Sequence, residues 1–366
     1  MNDVGACECD DTTAKTSAGT CPSCNRPTHA ASAETAESAA AGTTSTARAA
    51  AIVAEIEIPP LLNADGTSLS YNLDRSTEEN YQILSYNYTS CTGLYSSIRS
   101  TLDYSYHSHY QPQRQRVQDA IVSHLLNRTT ITCSTTGRSC STPHGGNWIV
   151  FTAGVFGAGK THTIRILSEK DRFPLAGFVA VDPDEIRRHL PEFRYYVEHD
   201  AEGAGEMTRK EAGLMSEILT EAALRQGRNV LVDGSLRDHE WYGEHFDDLR
   251  GMHPNLKIAI LHVAAPISSI FANVRARSKV TGRVVPKEKI EMALEAVPRS
   301  VKLLGPLADF FCELWNSPEE EDVQISTAGV GWNEFSKVWQ QSCPPPDPIE
   351  SSMKDGHDNG LQRSKL

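Results

Sequence analysis

Several features are missing from this 366-residue chain, and each absence removes a class of protein. No apolar run approaches the ~20 residues that a bilayer span requires, so no membrane crossing is expected. The first residues, Met-Asn-Asp-Val-Gly-Ala-Cys-Glu-Cys-Asp-Asp, lack the basic start and apolar core of a secretory signal. They are also too acidic for a typical transit peptide, and the expected location is cytoplasmic. Basic residues are in deficit: 35 Lys and Arg against 47 Asp and Glu give a net charge of -12, which disfavours a polyanion-binding surface. The 9 cysteines are irregularly spaced, so reduced thiols are expected rather than a disulfide framework. The guanine-selective Asn-Lys-x-Asp arrangement of a GTP switch is absent as well.

Large apolar side chains are almost absent from residues 1–55, which are rich in Ala, Thr and Ser. Such a segment cannot bury enough surface to offset its ordering entropy and is expected to be a disordered, low-complexity tail. It contains Cys7-x-Cys9 and Cys21-x-x-Cys24. The second pair has half the spacing of a zinc site, but Cys-x-Cys is less usual for structural zinc, so incidental thiols in a tail are favoured over a metal knuckle. Residues 56–110 are expected to be a poorly ordered or accessory segment. A tyrosine-rich stretch runs from Tyr71 to Tyr110 and ends in Tyr104-Ser-Tyr106-His107-Ser-His109-Tyr110, which reads better as a docked or exposed aromatic segment than as a metal site. The proline-rich stretch from Cys343 opens a second tail, 343–366, also expected to be disordered.

What is present centres on Trp148-Ile-Val-Phe-Thr-Ala-Gly154-Val-Phe-Gly157-Ala158-Gly159-Lys160-Thr161-His162. An apolar strand ends at Gly154, and Gly154 to Thr161 fit the Gly-x-x-x-x-Gly-Lys-Thr phosphate loop, followed by a helix-forming segment. In such a loop, successive N–H groups face phosphate oxygens and the helix start adds its positive end. Lys160 would reach the β- and γ-phosphates, and the Thr161 hydroxyl would ligate Mg²⁺. Gly154, Gly157, Ala158, Gly159, Lys160, Thr161 and His162 are therefore the candidate ATP-binding residues.

Around this loop the chain alternates. The spacing predicts a helix over Pro112–Leu126, strands over Trp148–Ala153, Ala176–Val181, Asn229–Val232 and Lys257–Val263, and short strands over Phe310–Trp315 and Val323–Ser326. Helices are predicted between them over Lys160–Leu167, Glu206–Leu224, Glu240–Arg250, Ile267–Lys279 and Pro286–Leu303. The fold class is α/β, a mainly parallel sheet with helices on both faces, occupying residues 111–342. Ligand residues should cluster beyond strand C-termini. There the sequence places Asp182-Pro-Asp184 and Asp233-Gly-Ser235-Leu-Arg237. A basic group, Arg275, Arg277, Lys279 and Arg283, surrounds Val280-Thr-Gly282; it reads either as a solvated helix end or as a lid that closes over phosphates. Asp184 is open to a helix-capping role as well as a catalytic one.

From about Gln111 to Trp315 the ordered set of motifs resembles the zeta-toxin group of P-loop kinases, which phosphorylate the 3′-hydroxyl of the sugar in UDP-N-acetylglucosamine. Asp184-Glu-Ile-Arg187 followed by Pro191-Glu-Phe193 is similar to the family's Asp-x-(Phe)-Arg…Pro motif, which implies Asp184 as catalytic base. Glu217 stands sixteen residues before Asp233, as the family's acceptor-holding glutamate does before its Glu-Gly-Thr-Leu-Arg motif. That motif appears here as Asp233-Gly-Ser235-Leu-Arg237, one methylene shorter in its acid. The resemblance implies that Glu217, Asp233, Ser235 and Arg237 line the acceptor site, and that Arg275 and Arg283 bind the transferring phosphate with Lys160. The segment between those arginines is shorter than in the bacterial toxins.

The expectation is an ATP- and Mg²⁺-dependent phosphotransferase acting on a hydroxyl of a small molecule, with UDP-N-acetylglucosamine as the implied acceptor. Two alternatives stay open: a kinase of a nucleoside or polynucleotide end, and a nucleotide-binding switch that transfers nothing. An inhibitory protein partner is a further implication of the resemblance.

Overall fold

The structure is a computed structural model that describes residues 71–83, 91–128, 131–132, 139–140, 148–281, 284–320, 322–327 and 329–337. Both expected tails, the four cysteines of the first one, and Arg283 lie outside the described residues. Six strands form the main sheet: β1 (Trp148–Ala153), β2 (Phe178–Val181), β3 (Asn229–Val232), β4 (Lys257–Ala264), β5 (Phe310–Trp315) and β6 (Gln324–Thr327). Their order is β2-β3-β1-β4-β5-β6; the first five are parallel and β6 runs antiparallel to β5. The fold is α/β, a mostly parallel sheet with helices around it.

The central strand explains itself. All six residues of Trp148–Ala153 are buried, as expected of a strand covered on both faces, and its run of aromatic and β-branched residues suits that place. Phe151 lies opposite Val232 of β3 and Ala153 opposite His262 of β4, while Val181 of β2 lies opposite Val232. The register therefore brings Gly154, Asp182 and Asp233 to one edge of the sheet. The helix Arg209–Arg225 buries Ala212, Met215, Ile218, Leu219 and Ala222, the stripe that its periodicity predicts.

Several element ends shift by a residue or two from those the sequence suggests, and two of the differences have a visible local cause. The expected helix Glu206–Leu224 is broken into Ala204–Met207 and Arg209–Arg225. Between them the buried Thr208 hydroxyl donates to the Ala204 carbonyl at 3.0 Å, a local bond that competes with the helical ladder. The expected strand Ala176–Val181 begins only at Phe178, because Leu175–Gly177 form a 3₁₀ turn.

The stretch before the helix Pro112–Asn127 joins the main core: Tyr81, Tyr95, Ile98 and Tyr110 are buried in it. A short helix, Thr77–Tyr81, starts on a Ser76–Glu79 capping box. Behind it lies a buried charge network. Arg114 donates to Glu211 Oε1 and Oε2 at 2.7 and 2.9 Å and to Glu192 Oε1 and Oε2 at 2.8 and 3.1 Å. The Tyr81 hydroxyl donates to Glu192 Oε1 at 2.5 Å, and the Tyr81 ring lies 4.1 Å below the Arg114 guanidinium carbon. Burial pushes the Glu211 carboxyl up, but Arg114, joined by a hydrogen bond from Gln118, more than offsets this and holds it below its ordinary value. No described helix is long and apolar enough to cross a membrane.

Candidate active site

The phosphate loop leaves β1 at Ala153 and enters the helix Lys160–Glu169 through Gly159, whose φ of 87° few other residues adopt. Its Lys160 ammonium donates to the Gly154 and Val155 carbonyls at 3.1 and 3.3 Å. Burial lowers the Lys160 pKa, with Arg277 acting in the same direction; Asp233, Asp184 and Asp182 oppose them. All four of those charged residues thus act on the loop lysine. Ala158 is buried inside the loop, whereas Thr161 and His162 lie on the exposed side of the helix start.

Asp233 ends β3 directly beside the loop. Its Oδ2 accepts from the Thr161 hydroxyl at 2.9 Å and its Oδ1 from the Thr152 hydroxyl at 2.8 Å. The turn that follows is tied back to the loop, since the Gly154 N–H donates to the Ser235 carbonyl at 3.3 Å. Leu236, buried and not a glycine, has a φ of 53°, a strained backbone of the kind held in place at functional sites. Arg237 is exposed at the mouth of this turn.

Asp182 ends β2 and caps the helix Pro183–Arg188, accepting from the Asp184 N–H at 2.8 Å. Burial, then the charges of Asp233 and Asp184, push its carboxyl up to about 6. Asp184, in the first turn of that helix, faces two guanidinium groups: Arg277 Nη2 donates to its Oδ2 at 3.1 Å, and Arg187 Nε stands 3.6 Å from its Oδ1.

The helix Ile267–Thr281 brings Arg277 to Asp184, while the family resemblance implies Arg275 on the same helix. At about 100° per residue, Ile270, Asn273, Val274 and Arg277 share one face, and Arg275 points to the other side. An ideal Cβ on Gly157 would lie 2.4 Å from the Ile270 carbonyl oxygen and 2.8 Å from Val274, so this face rests on the loop. Arg277 then reaches Asp184. Arg275 is exposed and has no ionic partner among the described residues. Helical spacing by itself is enough to separate the two arginines.

Glu217 stands on a second wall. Its Oε1 lies 2.9 Å from Nε2 of the buried His107, which belongs to the tyrosine-rich stretch. Beside them, burial lowers the His245 pKa while the Glu217 charge opposes the shift. The exposed Trp241 stacks on His245 with ring centroids 4.7 Å apart. Tyr242 brings its hydroxyl to 3.4 Å from an ideal Cβ at Gly234, which links this wall to the Asp233 turn. Neither His107 nor the Trp241–His245 pair carries a sequence motif.

No curated protein matches the chain. Among solved structures, one from the PezAT chromosomal toxin-antitoxin system of Streptococcus pneumoniae is 19% identical, with a TM-score of 0.46, over 67% of this chain and 93% of that one. The AvrRxo1-ORF1:AvrRxo1-ORF2 complex with ATP is 14% identical, with a TM-score of 0.47, over 73% of this chain and 82% of that one. A tunicamycin resistance protein of Deinococcus radiodurans is 22% identical, with a TM-score of 0.28, over 54% and 99% respectively. The family model described as Zeta toxin matches residues 134–308, just under half of the chain.

Proposed function

We propose that the chain is an ATP-dependent phosphotransferase of zeta-toxin type, which moves the γ-phosphate of ATP to a hydroxyl of a small molecule. The observation that carries the reading is the meeting of Lys160, the Thr161–Asp233 pair, Asp184 and Arg277 at one edge of the parallel sheet. A loop that only binds nucleotide needs no carboxylate and guanidinium at that point. Phosphoryl transfer needs both.

Hard oxygen donors suit Mg²⁺, and the Thr161 hydroxyl with the Asp233 carboxylate supplies them side by side. Burial and, after it, the charges of Asp233 and Asp184 raise the Asp182 pKa, and a divalent cation would relieve the repulsion among these carboxylates. Held by Thr161 and Asp233, such an ion would supply positive charge against the charge that develops on the transferring phosphoryl group. Asp233 therefore serves the metal side in this proposal, rather than the acceptor side implied by the resemblance.

Asp184 is the base that accepts the acceptor hydroxyl's proton. Its carboxylate is now held by Arg277, and ATP phosphates compete for that guanidinium. As the Arg277 guanidinium turns to the phosphate, the Asp184 carboxylate is released to take the proton and the developing charge gains a partner. Arg283 is proposed to assist from the residues that follow. The acceptor lies against Glu217, with Ser235 and Arg237 at the turn, and UDP-N-acetylglucosamine is the first candidate. Labelled ATP offered with that acceptor and with nucleosides tests the reading. A labelled small molecule is expected from the unaltered chain, with none from Lys160→Ala or Asp184→Asn and with ATP binding retained in Asp184→Asn. Full transfer by Asp184→Asn would end the assignment.

A further inference from the structure

Two asparagine side chains grip the phosphate loop from outside. Asn316, just past β5, donates its amide N–H to the Ala158 carbonyl at 2.9 Å. Asn273, on the helix Ile267–Thr281, donates to the Gly157 carbonyl at 2.9 Å. Only an amide NH₂ can donate to a carbonyl, so both side-chain orientations are fixed by the contact itself. Asn316 is anchored in turn: its backbone N–H donates to the Ala264 carbonyl at 2.8 Å, prolonging the β4–β5 pairing by one residue.

In a trans peptide the C=O and N–H point opposite ways. Holding the Ala158 carbonyl toward Asn316 therefore turns the Gly159 N–H to the other side, where the first N–H groups of the Lys160–Glu169 helix have no carbonyl to pair with. Peptides flanked by glycine rotate easily, and glycines stand at 157 and 159. The contact is also tight: an ideal Cβ on Gly159 would lie 2.3 Å from Asn316 Nδ2. Asn273 sits one helical turn before Arg277 on the same face, so a single helix registers both the loop and Asp184.

We propose that Asn316 and Asn273 are positioning residues for the donor phosphates: Asn316 holds the Ala158 carbonyl outward so that the Gly159 N–H joins the helix start in the cradle, and Asn273 holds the Gly157 carbonyl, and with it the turn that the Ala158 N–H closes on the Val155 carbonyl at 3.1 Å. This rests on the reading of the loop as an ATP site. Asn316→Ala should weaken Mg·ATP about five- to tenfold, the worth of one hydrogen bond, and Asn316→Asp more, since a carboxylate cannot donate and repels phosphate. The exposed Asn273→Ala should fold normally and show a smaller loss.

Calorimetry on the full chain, with Mg·ATP and with magnesium tripolyphosphate as a probe that lacks base and sugar, separates the possibilities. A parallel loss for both probes, with the melting temperature without nucleotide unchanged, supports the proposal. Loss confined to ATP makes Asn316 a base or ribose contact and overturns it, as does unaltered binding in all three variants. Wild-type chain that binds neither probe ends the donor reading and this one together.

Discussion

Asp182 offers a pH test of the site. It is partly buried, and burial together with Asp233 and Asp184 raises its carboxyl to about 6, against the Asp184 N–H and Arg188, which pull the other way. A carboxyl whose folded pKa lies above its unfolded value of 3.8 binds its proton more tightly in the folded state. Its destabilising effect is absent below about 3.8, grows between there and about 6, and is complete above. At about 1.4 kcal/mol per unit the ceiling is about 3 kcal/mol, and partial exposure brings the expectation to about 1–3 kcal/mol. Asn is nearly the same shape and keeps an oxygen for the Asp184 N–H. Asp182→Asn should therefore be more stable than the wild type at pH 7.5, and the difference should vanish near pH 4. Denaturant titrations between those limits measure it. Mg·ATP should narrow the gap, because the cation relieves the same repulsion. A difference that stays constant with pH, or a variant less stable at pH 7.5, would refute the reasoning.

Two further outcomes are expected. Arg277→Ala should reduce phosphoryl transfer about a hundredfold in single-turnover assays, whereas Arg275→Ala should change it only a few-fold; equal effects would mean that the helix face has been misassigned. Arg114→Leu leaves Glu192 and Glu211 buried without their cation and should cost about 3–5 kcal/mol in denaturant titrations. That loss should shrink on acidification, as the two carboxyls come to share a proton, and a pH-independent loss would count against the network.

How far the sequence can be read follows from how local each signal is. The phosphate loop is eight consecutive residues with a strand before and a helix after, so its motif and context are contiguous and the structure places both as read. Asp182, Asp184 and Asp233 are legible because parallel strands bury continuous apolar runs and the first polar residue marks the strand end. The turn from Asp182 to Asp184 also fixes the cap. Thr208 is not legible: its hydroxyl ends one helix through a bond to Ala204 that competes with a periodicity running straight through the break. Arg277 is legible in principle, from the same helical spacing that identifies the helix, but the resemblance points to Arg275 instead.

The remaining contacts join residues far apart in the chain. His107 meets Glu217 across 110 positions, Arg114 meets Glu211 across 97, and Asn316 meets Ala158 across 158. None of these pairs makes a pattern within a window, since a histidine in a tyrosine-rich stretch or an asparagine after a strand has no spacing to announce it. This asymmetry has a physical origin. Donor phosphates are the same in every ATP, so a short stretch of backbone suffices to bind them and survives as a motif. An acceptor is recognised by side chains from several elements, and on the proposed reading His107, Glu217, Trp241 and His245 form such a wall. The Trp241–His245 stack, exposed on one side beside a carboxylate, suits a flat ring or the apolar face of a sugar more than it suits a bare hydroxyl. If the proposed reading holds, acceptor identity is set by a wall that only the folded chain assembles.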